Sequence, residues 1–162
     1  MRNFWNIKNR GVSSIEVVIG VTIAGVVLIY SANAVSGFVN NARDVTLKTE
    51  ALYLVEEGIE LVKFVRDNSW ITISSLPLNT TRYLVVGSSS ISITTTPETV
   101  DGFLRSFTVR NVYRDATTDD IVASTTSGSV ADTGSKYITM SVSWSSPKTT
   151  VSIETILADI AL

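Results

Sequence analysis

The 162-residue chain contains no cysteine and no histidine. Without cysteine there is neither a disulfide framework nor a thiolate metal site, although export does not depend on either. Without histidine the commonest general base and the commonest zinc ligand are both missing, which disfavours most hydrolytic and metal chemistry. Proline is scarce, and the first of the three is Pro77, so nothing upstream of it forces a helix to stop. Charge is missing from one long stretch: residues 17–39, 23 positions, hold no Asp, Glu, Lys or Arg.

What is present is unevenly distributed. Mean hydropathy is +0.28, high for a soluble protein, and the apolar residues concentrate in the first forty positions. The formal net charge is -2, yet Arg2, Lys8 and Arg10 supply three positive charges with no acidic residue among them. Without residues 1–11, ten basic residues would face fifteen acidic ones, about -5. Such a body is a poor match to phosphate backbones, so nucleic-acid binding through a broad basic face is not expected.

The charge-free stretch is long enough to cross a hydrocarbon core, which needs roughly 20 apolar residues in a helix. Its upstream flank is purely basic, whereas downstream Arg43 and Lys48 are balanced by Asp44 and Glu50. This asymmetry predicts a single-pass membrane protein with a cytoplasmic N-terminus and an extracytoplasmic C-terminal part. Two readings follow from the residues. The segment is a secretory signal cut near Ser31-Ala32-Asn33-Ala34 or an uncleaved anchor. Glu16 is the feature that both leave unexplained. It is a carboxylate at the edge of the apolar run, where a charge normally marks a functional pairing or lies solvated among headgroups.

Lys8-Asn9-Arg10-Gly11, then Val12-Ser13-Ser14-Ile15-Glu16, then the apolar run, resembles the N-terminus of type IV prepilins and pseudopilins over roughly residues 8–68. The resemblance implies that a membrane prepilin peptidase cuts between Gly11 and Val12, with Lys8 and Arg10 as leader charges, and that Val12 carries N-methylation. It also implies that Glu16 guides assembly by pairing with a free amino terminus, often a neighbour's. The implied partners are identical or related pilin subunits, the peptidase/methyltransferase, an inner-membrane assembly platform and membrane lipid. The implied location is the membrane first and an extracellular or periplasmic filament afterwards. Many members carry Phe where this chain has Val12, and a helix-kinking Pro where it has Asn33. A bend would therefore fall at Gly20, Gly25 or Gly37. The disulfide-closed loop of many major pilins is impossible here, which points towards a minor pilin or pseudopilin.

The organisation expected is a leader at 1–11, a transmembrane and filament-core helix at 12–42, an amphipathic continuation at 43–68 and a β-sheet head at 69–162. In the continuation, Leu47, Ala51, Leu54, Val55, Gly58, Val62 and Val65 recur at three- and four-residue steps. Lys48, Glu56, Glu60, Lys63 and Asp67 lie around the other side. Glu56, Glu57 and Glu60 read as solvated helix charges, with Glu56 and Lys63 as partners, and Asp67-Asn68-Ser69 as the break before Trp70.

Beyond residue 70 the period shifts from 3.6 to 2. Phe103, Phe107, Val109 and Tyr113 share one strand face. Ile138, Met140, Val142 and Trp144 share another, and Val151, Ile153 and Leu157 a third. Tyr83 to Val86 and Ser90 to Thr95 are shorter candidates, and Ser145-Ser146-Pro147-Lys148 is a hairpin loop. The fold class expected is α+β, a long N-terminal helix packed on a C-terminal antiparallel sheet.

No catalytic site is expected in the head, and no cofactor. Asp115, Asp119, Asp120 and Asp132 could offer oxygen ligands to calcium, but they fit no EF-hand spacing and read as a solvated acidic loop. Gly87-Ser88-Ser89-Ser90 lacks a P-loop lysine, and Ser127-Gly128-Ser129 has no histidine to activate it. Asn79-Thr80-Thr81 matches a glycosylation acceptor, a pattern short enough to arise by chance. The function expected is a structural filament subunit. A membrane-anchored binding module that never polymerises is the alternative.

Overall fold

A computed structural model describes residues 13–88, 90–97, 99–144 and 149–160. The leader, Gly11, Val12 and the hairpin loop at 145–148 lie outside the described residues. The chain divides into two units, one ending at Val45 and one beginning at Thr46.

Helix α1 covers Ser14–Asn68, 55 residues without interruption. Its first turn forms on the Ser13 carbonyl, which accepts from the amides of Glu16 at 2.9 Å and Val17 at 3.2 Å. Glu16 thus stands in the first turn, where the positive end of the helix dipole favours a carboxylate. The helix stops where the sequence turns polar. The Asn68 side-chain amide donates to the Phe64 carbonyl at 2.9 Å, and Ser69 adopts an extended conformation. A short helix α2 (Trp70–Ser74) follows, a turn of structure that the polar break does not announce.

The second unit is α+β: the half of α1 from Thr46 packs on an antiparallel sheet. Three long strands form that sheet, β4 (Phe103–Asp115), β6 (Ser129–Trp144) and β7 (Thr149–Ala158). Two short ones, β3 (Thr99–Val100) and β5 (Ile121–Val122), pair with β4, so the order is β3-β4-β6-β7 with β5 beside β4. β1 (Tyr83–Val86) and β2 (Ile91–Thr94) form a separate two-stranded hairpin. That hairpin is tied to β4 by reciprocal backbone bonds between Arg82 and Phe107, both 2.8 Å. Val100 opposes Phe103, leaving Asp101 and Gly102 as a two-residue loop with φ of 51° and 87°. That is the geometry of a type I′ turn, for which Asp-Gly is a preferred pair.

The apolar stripe of α1 lies where its period places it. Ala51, Leu54, Val55, Gly58, Val62 and Val65 are buried, and Leu47 is partly so. They meet Phe103, Phe107 and Val109 of β4, Ile138, Met140, Val142 and Trp144 of β6, and Leu157 of β7 in one cluster. Each such side chain, fully buried, contributes about 1.5–3 kcal/mol before entropy is counted. Phe103 and Trp144 add a tilted ring pair at 5.6 Å. Trp70 packs against the same cluster.

Two details depart from simple alternation. The register shifts between Asn111 and Val112, so Val112 becomes fully buried while Tyr113, expected in the inward row, is only half-buried. At Gly58 the helix comes close to the sheet: a Cβ there would sit 2.8 Å from Met140 Sδ and 3.0 Å from Arg105 Cδ.

Candidate functional site

In the first unit, the predicted membrane segment is the N-terminal part of α1. Fourteen large apolar side chains from Ile15 to Val39 stand 47% to 74% exposed, and none in that interval is buried. At roughly 1.5–3 kcal/mol for complete burial of each, scaled to the exposed fraction, covering them would contribute on the order of 10–25 kcal/mol, a surface far beyond what a water-facing helix retains. The segment is apolar and long enough to cross a membrane. Two of its hydroxyls are turned onto the backbone: Thr22 Oγ1 donates to the Val18 carbonyl at 2.8 Å, and Ser36 Oγ to that of Ala32 at 3.0 Å. This is how a helix accommodates Ser and Thr where no water is available.

Of the residues singled out for processing and assembly, Glu16 alone is among the described ones. It is exposed, at the head of the apolar stretch. Lys8, Arg10, Gly11 and Val12 lie outside the described residues, so no geometry joins them to Glu16.

The second unit holds the remaining charged candidates. On the solvent side of α1, Lys63 Nζ bonds Glu60 Oε1 at 2.7 Å, one turn away, in place of the more distant Glu56. Glu57 has a different role. Its Oε1 lies 3.3 Å from Nη1 of Arg105, a side chain only 4% exposed, and that Nη1 makes no hydrogen bond. Arg105 occupies the inward row of β4 between Phe103 and Phe107. Its place on that parity was the signal in the sequence, passed over because a cation is not expected in an apolar row.

The acidic loop closes on Arg114. Arg114 Nε lies 2.8 Å from Asp132 Oδ2 and 3.9 Å from Asp119 Oδ1, and the Asp119 carbonyl accepts from Nη1 at 3.0 Å. The hydrogen bond from Arg114 is the main cause holding the Asp132 carboxyl below its usual range. Donors at Ser135 and Gly134 add to it. Asp115 is lowered by the amides of Thr117 and Thr118, which donate to its Oδ1 at 2.8 Å and 3.1 Å. The carboxylates thus organise a turn. Among the described residues, no three His, Cys, Asp or Glu side chains gather where a metal ion could be held. Asn79 is exposed and in the left-handed region at φ 55°, its amide donating to the Val109 carbonyl at 2.9 Å.

The chain matches no protein-family model, no curated protein and no solved structure.

Proposed function

We propose that this chain is a structural subunit of a type IV pilus or of a related secretion pseudopilus, of the minor-pilin or pseudopilin kind. The observation that carries the reading is the first half of α1: a charge-free, wholly exposed apolar surface headed by a single carboxylate, Glu16. Such a surface requires an apolar cover. A bilayer provides one before assembly, and the equivalent helices of neighbouring subunits provide another afterwards. Subunits pass between the two states by lateral packing, with apolar contact area similar in each.

In this reading prepilin peptidase removes residues 1–11 on the cytoplasmic face, and the new amino group at Val12, methylated or not, meets the Glu16 carboxylate of a neighbour. A charge buried alone in an apolar bundle costs several kcal/mol, and pairing offsets much of it. Glu16 therefore acts as a register device. The half of α1 from Thr46 and its sheet form the surface that the filament shows to its surroundings.

Mass spectrometry of the protein purified from its own membranes tests the processing step. An N-terminus at Val12 supports it, and an intact Met1 in the mature protein refutes it, favouring instead an anchored module that does not polymerise. Glu16→Ala is expected to be cleaved normally and to assemble poorly; a normal filament yield from that variant would remove Glu16 from the mechanism.

A further inference from the structure

Towards the end of the sheet opposite Trp144, the pairing of β4 with β6 is interrupted and then resumes. Asn111 opposes Lys136 but Val112 opposes Asp132, so residues 133–135 of β6 have no partner in β4. Two of them stay joined to β7 and the residue after it: Ser135 opposes Ala158, and the Asp159 amide donates to the Gly134 carbonyl at 2.8 Å. Beside this break lies an open cleft of about 610 Å³, lined by residues of the α2–β1 connection, β4, the β5 segment, β6 and β7.

The floor of the cleft is on the sheet face turned away from α1. Arg110, Tyr137 and Glu154 alternate along their strands with Val109, Ile138 and Ile153, which pack into the core. Arg110 Nη2 donates to Glu154 Oε2, its guanidinium sits 5.4 Å from the centre of the Tyr137 ring, and Thr139 Oγ1 donates to the same carboxylate oxygen at 3.2 Å. A fork of donors and a carboxylate acceptor are therefore held side by side, with no net charge between them. The walls differ in kind. Leu78 and Ile121 stand 41% and 47% exposed, offering apolar surface, while Asn79 and Ser124 add an amide and a hydroxyl at the rim.

These features select a ligand class. A neutralised ion pair gives little attraction to an anion or a cation, whereas adjacent fixed donors and acceptors suit vicinal hydroxyls, each of which both donates and accepts. Apolar walls suit the C–H face of a sugar ring. The volume falls in the range of small-ligand sites, about 300–1,000 Å³. Beyond the cleft the same sheet face continues in hydroxyls, with Thr108 opposite Thr139, and Ser106 opposite Ser141, which opposes Ser152.

We propose that this cleft binds a neutral glycan of one or two rings, Glu154 accepting from and Arg110 donating to adjacent ring hydroxyls, with Leu78 and Ile121 against the ring faces. The site lies wholly in the unit from Thr46 onward and does not depend on the filament reading.

The test is a titration of the isotope-labelled full chain, in a phosphocholine detergent so that no sugar headgroup competes, with lactose, cellobiose, mannobiose and a sulfated heparin disaccharide. At least one neutral disaccharide is expected to give saturable shifts at Arg110, Tyr137 and Ser124, with a dissociation constant on the order of 1 mM. Glu154→Gln should weaken that binding about tenfold, the loss of one charge-assisted hydrogen bond. Ala123→Trp, an exposed change on the wall that leaves the floor intact, should abolish it by filling the cleft. The proposal is overturned if no neutral disaccharide saturates, if only the sulfated one binds, or if binding survives Ala123→Trp.

Discussion

Arg105 and Glu57 offer the sharpest test of how this fold is held together. The Arg105 guanidinium is almost wholly buried, faces Glu57 at 3.3 Å, and leaves Nη1 without a hydrogen bond. A buried cation so poorly partnered is costly to desolvate, so its net contribution to stability is small or negative. Glu57→Gln removes the only acidic group paired with it among the described residues. Breaking a buried pair costs about 3–5 kcal/mol. Glu57 is 53% exposed and water already screens it, so about 1–2 kcal/mol is the reasoned loss. Arg105→Met keeps the length of the chain between Gly58 and Met140 and discards the charge, which is expected to leave stability unchanged or raise it by about 1–3 kcal/mol. In the Arg105→Met background, Glu57→Gln should cost nothing, giving a coupling of about 1–2 kcal/mol. Urea unfolding of the detergent-solubilised full chain, followed by near-UV circular dichroism, measures all four corners of the cycle. If Arg105→Met destabilises by more than about 2 kcal/mol, the range of an ordinary disruptive mutation, the desolvation argument is wrong. If Glu57→Gln costs the same in both backgrounds, the ion pair is not energetically real.

Other consequences are equally open to measurement. Asp115 and Asp132 both have folded carboxyl pKa values below the usual one. Their contribution is therefore fully present above the unfolded value near 3.9 and lost as pH falls through the lower folded values. Acid titration followed by circular dichroism should show destabilisation beginning below about pH 4, and Asp132→Asn should flatten that limb; an unchanged acid limb would refute the pairing with Arg114. Gly58→Val should cost about 1–3 kcal/mol by overpacking, because the new side chain meets the fully buried Met140. Recovery in the Gly58→Val/Met140→Ala double variant would identify that contact as the cause. Gly102→Val, at φ 87°, should lower stability by about 1–2 kcal/mol through backbone strain alone; an unaltered denaturation midpoint would mean that the β3–β4 turn is not as described.

The helix was the most legible element because its stripe is set by a single period that nothing interrupts. Residues 47–65 repeat every three or four positions, and Asn68 ends the pattern with a polar side chain that bonds back to Phe64. The strands were legible as rows, but their faces were readable only while alternation held. At Asn111 the register shift exchanges parity, burying Val112 and releasing Tyr113 towards the outer cleft, and no residue type marks that point. Asp101-Gly102 was a readable hairpin signal that the strand pattern alone passes over. The α2 turn, by contrast, follows from Ile73 and Trp70 finding the core, a tertiary reward that local sequence does not advertise. The cleft was not legible at all. Its members come from five separate segments between Leu78 and Glu154, brought together by the paired register of β4, β6 and β7, by the pairing of β5 with β4 and by the Asn79 amide bonded to Val109.

Under the filament reading proposed above, the hydroxyls of Thr22 and Ser36, closed onto carbonyls four residues back, bear on the traffic that such a subunit would undergo. A side chain that sought its partner outside the helix would have to surrender a bond to lipid or neighbour at each passage from bilayer to bundle, and find another. These two carry their partners with them. For Thr22 and Ser36, leaving one apolar surrounding for the other breaks no hydrogen bond, so the ease of exchange at those positions is set by packing alone, in either direction.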